Sequence, residues 1–279
     1  MHAAFDHLVH FLHRAPEEAT SAFRQAGFHT MPGGRHTHWG TWNSVCYFGL
    51  SYMEFLAVQD AEIAGQCDNP LIVQLVQENA LGEGMGQIAI RTSEIEQWAE
   101  RFRVLGLEVI GPLPGSRMRE DGTRIAWRML FAKDPDSRLR LPFFIQWEQS
   151  DEERLHDLQS RGIIAEHSNG AERLLEVGYA VRHLEETVQL WERWFGWKAG
   201  ASYADGQIAA DCQTFTLSGG NVTLCQPKGM GLTQQALETK GERPFFARMA
   251  GMKDSMALNL YGGSYFTVDE AGHHKPNKA

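Results

Sequence analysis

The sequence predicts an α+β fold assembled from repeated βαβββ units, and three observations predict it. A short alternating strand, an amphipathic helix and a glycine recur in the same order three times along the chain. The spacing barely varies: Gly27, Gly106 and Gly196 follow the first-strand centres His7, Gln87 and Val177 by 20, 19 and 19 residues. Each unit then closes on an alternating strand, SYMEFLAV, LPFFIQWE or NVTLCQP. Self-similarity at a fixed offset marks a duplicated supersecondary unit rather than α+β proteins at large.

The first unit opens with FDHLVHFL, followed by a helix over about 16–26. Pro16 suits its first turn, and Ala19, Ala22, Phe23 and Ala26 form its apolar stripe. In the second unit GQIAIRT leads into a helix over about 93–105. Ser93 and Glu96 have the spacing of a capping box, and Ile95, Trp98, Phe102 and Leu105 share one face. In the third, VGYAVRH precedes a helix over about 184–195 with Leu184, Val188, Trp191 and Phe195 on one side. The three glycines stand where helices end in the left-handed conformation.

The expected organisation is therefore paired units over 1–150, a polar linker over 151–172 and a third unit from 173. The linker has room for a short helix near 152–159. A degenerate fourth unit without its helix reaches 268, with Gly262-Gly263 turning a hairpin. The tail 269–279 is expected to be disordered.

Composition narrows the function. With 43% hydrophobic and 22% charged residues, the chain has the make-up of a globular protein with a core. A net charge of −9 argues against a nucleic-acid partner. No apolar run approaches the roughly 20 residues that span a bilayer, so no membrane partner is expected. The N-terminus lacks a signal-peptide pattern, and the scattered Cys46, Cys67, Cys212 and Cys225 suggest neither a disulfide framework nor a zinc knuckle. The expectation is a cytoplasmic protein. Neither a phosphate loop nor a dinucleotide fingerprint is present, so no nucleotide cofactor is expected.

The residues FDHLVHF, GGRHTHWGTWNSVCYFGLSYMEFLAV, PGSRMREDGTRIAWRM and LPFFIQW, with the tandem units, resemble the vicinal-oxygen-chelate superfamily. Within it the chain is similar to the glyoxalase-like domains of bacterial proteins. The resemblance covers about 3–150 well and 173–227 in outline. It implies that paired units curl into half-barrels of the glyoxalase, bleomycin-resistance and dioxygenase type. It also implies metal ligands on the first and last strands of each unit. Carried over, those positions are His7, Glu54 and Gln87, with Phe144 or its neighbour Gln146 at the fourth place. The third unit offers Val177 and Thr223 and so carries no site. The first three residues would suit a divalent Zn, Ni, Mn or Fe ion. His7 and Glu54 are also the candidate catalytic pair, either one able to act as general base. The plainer alternative is a sheet histidine and a solvated acid.

Two further features could contact a small-molecule ligand. The glycine-rich loop GGRHTHWGTWN offers His36, His38 and Asn43, unless its histidines are merely solvated. The hairpin SRMREDGTRIAWRM turns at Asp121-Gly122 and carries Arg117, Arg119, Arg124 and Arg128. If all four line one side they suit a carboxylate or phosphate; otherwise they pair with local acids such as Glu120. Trp147, with Trp127 and Phe143, could wall an apolar pocket, though aromatics at strand spacing are more often core.

Two functions compete. One is a metal-assisted lyase, isomerase or oxygenase acting on a small anionic or carbonyl-containing substrate. The other is a metal-free small-molecule binding or resistance-type protein. An odd number of units would favour a homodimer, in which a second chain covers what the third leaves open.

Overall fold

A computed structural model describes residues 1–268 apart from 120, 138 and 252–255. The tail 269–279 and Glu120, both invoked above, lie outside the described residues.

The first unit comprises β1 (Ala4–Leu12), α1 (Pro16–Gln25), β2 (Thr30–His36), β3 (Thr41–Phe48) and β4 (Ser51–Val58). Two helices, α2 (Ala61–Gln66) and α3 (Pro70–Gln77), lead to the second unit. That unit is β5 (Gly84–Arg91), α4 (Ile95–Val104), β6 (Glu108–Met118), β7 (Arg124–Lys133) and β8 (Phe143–Trp147). The segment expected as a linker carries α5 (Asp151–Ser160). The third unit follows as β9 (Arg173–Ala180), α6 (Leu184–Phe195), β10 (Tyr203–Asp205), β11 (Ala210–Phe215) and β12 (Asn221–Pro227). After α7 (Leu232–Lys240), a last unit of β13 (Arg243–Ala250), β14 (Ala257–Leu260) and β15 (Gly263–Val268) has no helix among the described residues.

One pairing rule builds every unit. Its first and last strands lie parallel (β1 with β4, β5 with β8, β9 with β12, β13 with β15), as a crossover connection requires. Units then join in pairs through their first strands, antiparallel, as β1 with β5 and β9 with β13. The result is an eight-stranded sheet in the order β2-β3-β4-β1-β5-β8-β7-β6 and a seven-stranded sheet in the order β10-β11-β12-β9-β13-β15-β14. The first curls until its edges approach, with the Arg117 side chain of β6 lying over Gly34 of β2.

The convex faces of the two sheets share one core with α1, α4 and α6 between them. Trp98 and Phe102 of α4 meet the Phe144 ring at 4.5 and 5.3 Å, and Phe102 meets Phe195 of α6 at 5.9 Å. Each concave face has a separate apolar cluster. Gly27, Gly106 and Gly196 all take positive φ at the helix ends.

Two local expectations are corrected. The α4 cap is Glu94 with no side-chain cap bond, because Ser93 gives way to Gln146, whose Oε1 takes the Ile95 amide at 3.1 Å. The capping box belongs instead to α5, between Ser150 and Glu153. The β14–β15 hairpin turns at Tyr261-Gly262, both at positive φ, and Gly263 is already the first strand residue opposite Leu260.

Candidate functional site

Inside the first half-barrel lies a cavity with about 550 Å³ of empty space, its open mouth included. Leu71 and Ile72 of α3 stop one end of the interior. At the other, Leu158 of α5 packs on Val45, Tyr47 and Tyr52. Between them the wall is largely aromatic: Trp39, Trp127, Trp147, Tyr47, Tyr52 and Phe143.

His7 and Glu54 meet in this cavity. They sit on neighbouring parallel strands, with His7 opposite Tyr52 and Val9 opposite Glu54, so both face inward. His7 Nε2 stands 3.5 Å from Glu54 Oε2, and Asn43 Nδ2 donates to Glu54 Oε1. The His7 ring stacks on Tyr52 at 4.5 Å and meets the edge of Phe143 at 5.6 Å.

Behind His7 is a group that strand alternation hides. Asp6 would point away from His7, but the β1–β5 register shifts between Phe5 and His7, a bulge that turns both side chains to one side. Asp6 Oδ1 holds His7 Nδ1 at 2.6 Å. Its other oxygen accepts from Arg91 Nη1 at 3.1 Å, Trp147 Nε1 at 3.1 Å and Arg154 Nη1 at 3.3 Å. Complete burial would raise the Asp6 carboxyl, yet Arg154, His7 and Arg91 together hold it below the usual carboxylate range. An ionised carboxylate only accepts, so Nδ1 carries a proton and Nε2 is the nitrogen offered to the cavity.

The remaining expected residues divide. Arg117 lines the cavity and has no hydrogen bond or ion pair among the described residues. Desolvation lowers its pKa, while Tyr47, Tyr52 and Glu54 pull it the other way. Its room comes from Gly34, where a Cβ would sit 2.7 Å from Nη1. His36 is buried in the wall, its Nδ1 3.1 Å from Thr41 Oγ1; burial, and secondarily Arg117, lower its pKa to about 3. Trp147 is present as wall and as donor to Asp6.

His38 is exposed in the β2–β3 turn and Gln87 opens into a different cavity. Gln87 faces the interior, opposite Val9, but on the far side of α3, and its Oε1 accepts from the Ile88 amide. The four arginines do not line one side. Arg117 pairs with Ile125 and Met118 with Arg124, which puts Arg124 and Arg128 on the outer face. There they approach Glu148 at 3.9 Å and Glu96 at 2.6 Å. Arg119 is paired with Asp157 of α5.

The donor set does not fit the resident metal that the resemblance implies. His7 and Glu54 supply two ligands, but across the sheet from His7 stand Ala89 and then Phe143. Among the described residues no group of three or more His, Cys, Asp or Glu side chains could hold a metal ion. The second half-barrel places Glu176 inward, not Val177, which is core. Glu176 accepts from Thr223 Oγ1 and from Arg248, both at 2.5 Å, and Arg248 also bonds Asp205 at 2.5 Å, while the Arg248 Nε has no hydrogen-bond partner among the described residues.

The sequence family described as a glyoxalase-like domain matches residues 5–195. The chain belongs to that family. No protein of curated function matches the glyoxalase-like chain in sequence. Among solved structures, a hypothetical protein from Staphylococcus aureus superposes with a TM-score of 0.75 at 18% identity, over 96% of this chain and 99% of that one. A triple mutant of 4-hydroxymandelate synthase from Streptomyces coelicolor gives 0.57 at 13% identity, over 90% and 71%. At such identities the likeness is one of fold, and it places both halves of the glyoxalase-like chain in the vicinal-oxygen-chelate architecture. No helix of the described residues is long and apolar enough to cross a membrane.

Proposed function

We propose that the first half-barrel binds a small molecule with an anionic group and an apolar or aromatic body, and that His7 and Glu54 move a proton on it. This is lyase or isomerase chemistry at a carbon next to a carbonyl or carboxylate. The observation that carries the reading is Arg117, a guanidinium in an aromatic cavity with no partner of its own among the described residues. Such a group recognises a carboxylate through a fork of donors, and the aromatic walls strengthen it by limiting water.

His7 Nε2 and the Glu54 carboxylate, 3.5 Å apart, are both proton acceptors that face the ligand space. With the ligand's anion on Arg117, that pair removes a proton from the adjacent carbon and returns it, while Asp6 stabilises the imidazolium formed in passing. Asn43 fixes the Glu54 carboxylate through its amide.

Titration calorimetry with benzoate, against benzyl alcohol as the uncharged control, tests the binding half. Benzoate should bind the wild type and lose about 10- to 100-fold in Arg117→Met, the worth of a charge-assisted pair. Equal binding of the alcohol would sink the reading. The proton-transfer half is read by deuterium exchange from solvent into 2-oxo acids, abolished in Glu54→Gln. Binding without exchange would favour the metal-free small-molecule binding protein.

A further inference from the structure

We infer that Arg154, carried by the helix that joins the two halves of the chain, is a positioning residue for His7, so that α5 belongs to the functional site. The inference rests on the proposed role of His7 and concerns how its ring is held, not what it touches.

The geometry runs in one line from α5 to the cavity. Arg154 is 3% exposed, its guanidinium lies 4.1 Å above the Trp147 ring, and its Nη1 reaches Asp6 Oδ2 at 3.3 Å. Stacking on an indole fixes the plane of a guanidinium, which an ammonium could not reproduce. With three donors converging on Oδ2, the Asp6 carboxylate cannot turn, and Oδ1 stays aimed at His7 Nδ1. Histidines at work in proteins are held in this way, their outer nitrogen chosen by the bond on the inner one.

The second guanidinium on Asp6 is tied to the same helix. Arg91 Nε contacts Asp151 Oδ1, in the first turn of α5, at 2.8 Å. The α5 start is itself fixed by the Ser150–Glu153 capping box, and its far half by Asp157 with Arg119 and by Leu158 in the tyrosine cluster. A helix serving only as a connector has no need to bury an arginine beneath a cavity histidine. Burying a guanidinium is costly unless its bonds are well made, and among the described residues one of its nitrogens, Nη2, has no hydrogen-bond partner.

The test uses the full chain with ¹⁵N-labelled histidine rings, and His7 is assigned by the signal lost in His7→Gln. The wild type should give one tautomer, protonated at Nδ1. Arg154→Met should lose that single state, giving both tautomers or a broadened ring, and Arg154→Lys should recover it only in part. A folded Arg154→Met with the wild-type His7 signal overturns the inference. If the Met variant does not fold, Arg154→Gln is read in the same way. The benzoate titration reads the other proposal separately: lost anion preference with an Arg154-dependent His7 signal sinks the functional reading and leaves the positioning role standing.

Discussion

His10 makes acid stability a quantitative test of how the two halves are joined. It lies fully buried on β1, donates from Nε2 to the Tyr261 carbonyl at 2.8 Å, and accepts at Nδ1 from the Tyr265 hydroxyl. Both partners come from the other half of the chain. Burial lowers its pKa from 6.5 to about 4, against the opposing pull of the Tyr261 carbonyl, with Lys240 lowering and Glu83 raising it further. A folded-state value below the unfolded one means that the unfolded chain binds more protons in acid. The contribution is therefore whole above pH 6.5 and is lost as pH falls towards 4. The loss amounts to about 2 kcal/mol by pH 5 and about 3 kcal/mol by pH 4. His36, lowered to about 3, and His167, lowered to about 4, add to the slope with the same sign. Urea unfolding of the wild type and His10→Gln at pH 7, 6, 5 and 4 isolates the one group, because the amide keeps a donor for Tyr261 and cannot titrate. The gap between the two stabilities should shrink on acidification by those amounts. Parallel curves over that range would refute the reasoning.

Gly178→Ala on the central strand β9 should lower stability by about 1–3 kcal/mol, read as a fall in Tm, since its Cβ would lie 1.8 Å from the Phe246 ring. Elemental mass spectrometry of protein prepared without chelators should find divalent metal well below one equivalent per chain, and a chelator should leave Tm unmoved. A full equivalent that disappears in Glu54→Ala would overturn the reading of the donor set.

Much of the architecture could be read from the chain because each element carries its own signal. A stripe such as Ile95, Trp98 and Phe102 marks a helix face, and a glycine at positive φ marks its end. Strand alternation tells only that a side chain points away from its neighbours; His7 and Glu54 come from the family resemblance, and the register of β1 with β4 puts both on the inner face. Alternation does not tell how far along a barrel a residue sits, which is why Gln87 shares their face but not their cavity. Nor does it survive a bulge, so Asp6 was hidden. Its one sequence trace is an acid inside an otherwise apolar strand beside a histidine. The arginines needed the cross-strand register of β6 and β7, which the turn residues alone do not supply. Arg154 sat in a polar stretch whose composition resembles any linker, because its burial depends on Trp147 and Asp6, far away in sequence.

The shared core between the two sheets bears on assembly. The degenerate fourth unit that the sequence predicts is present as β13, β14 and β15, and β13 gives β9 its antiparallel first-strand partner within the same polypeptide. Each half shields the other's outer sheet surface from water, the service a subunit interface would otherwise perform. The chain is in this respect its own dimer, and a further copy bound to it would have to use some other surface.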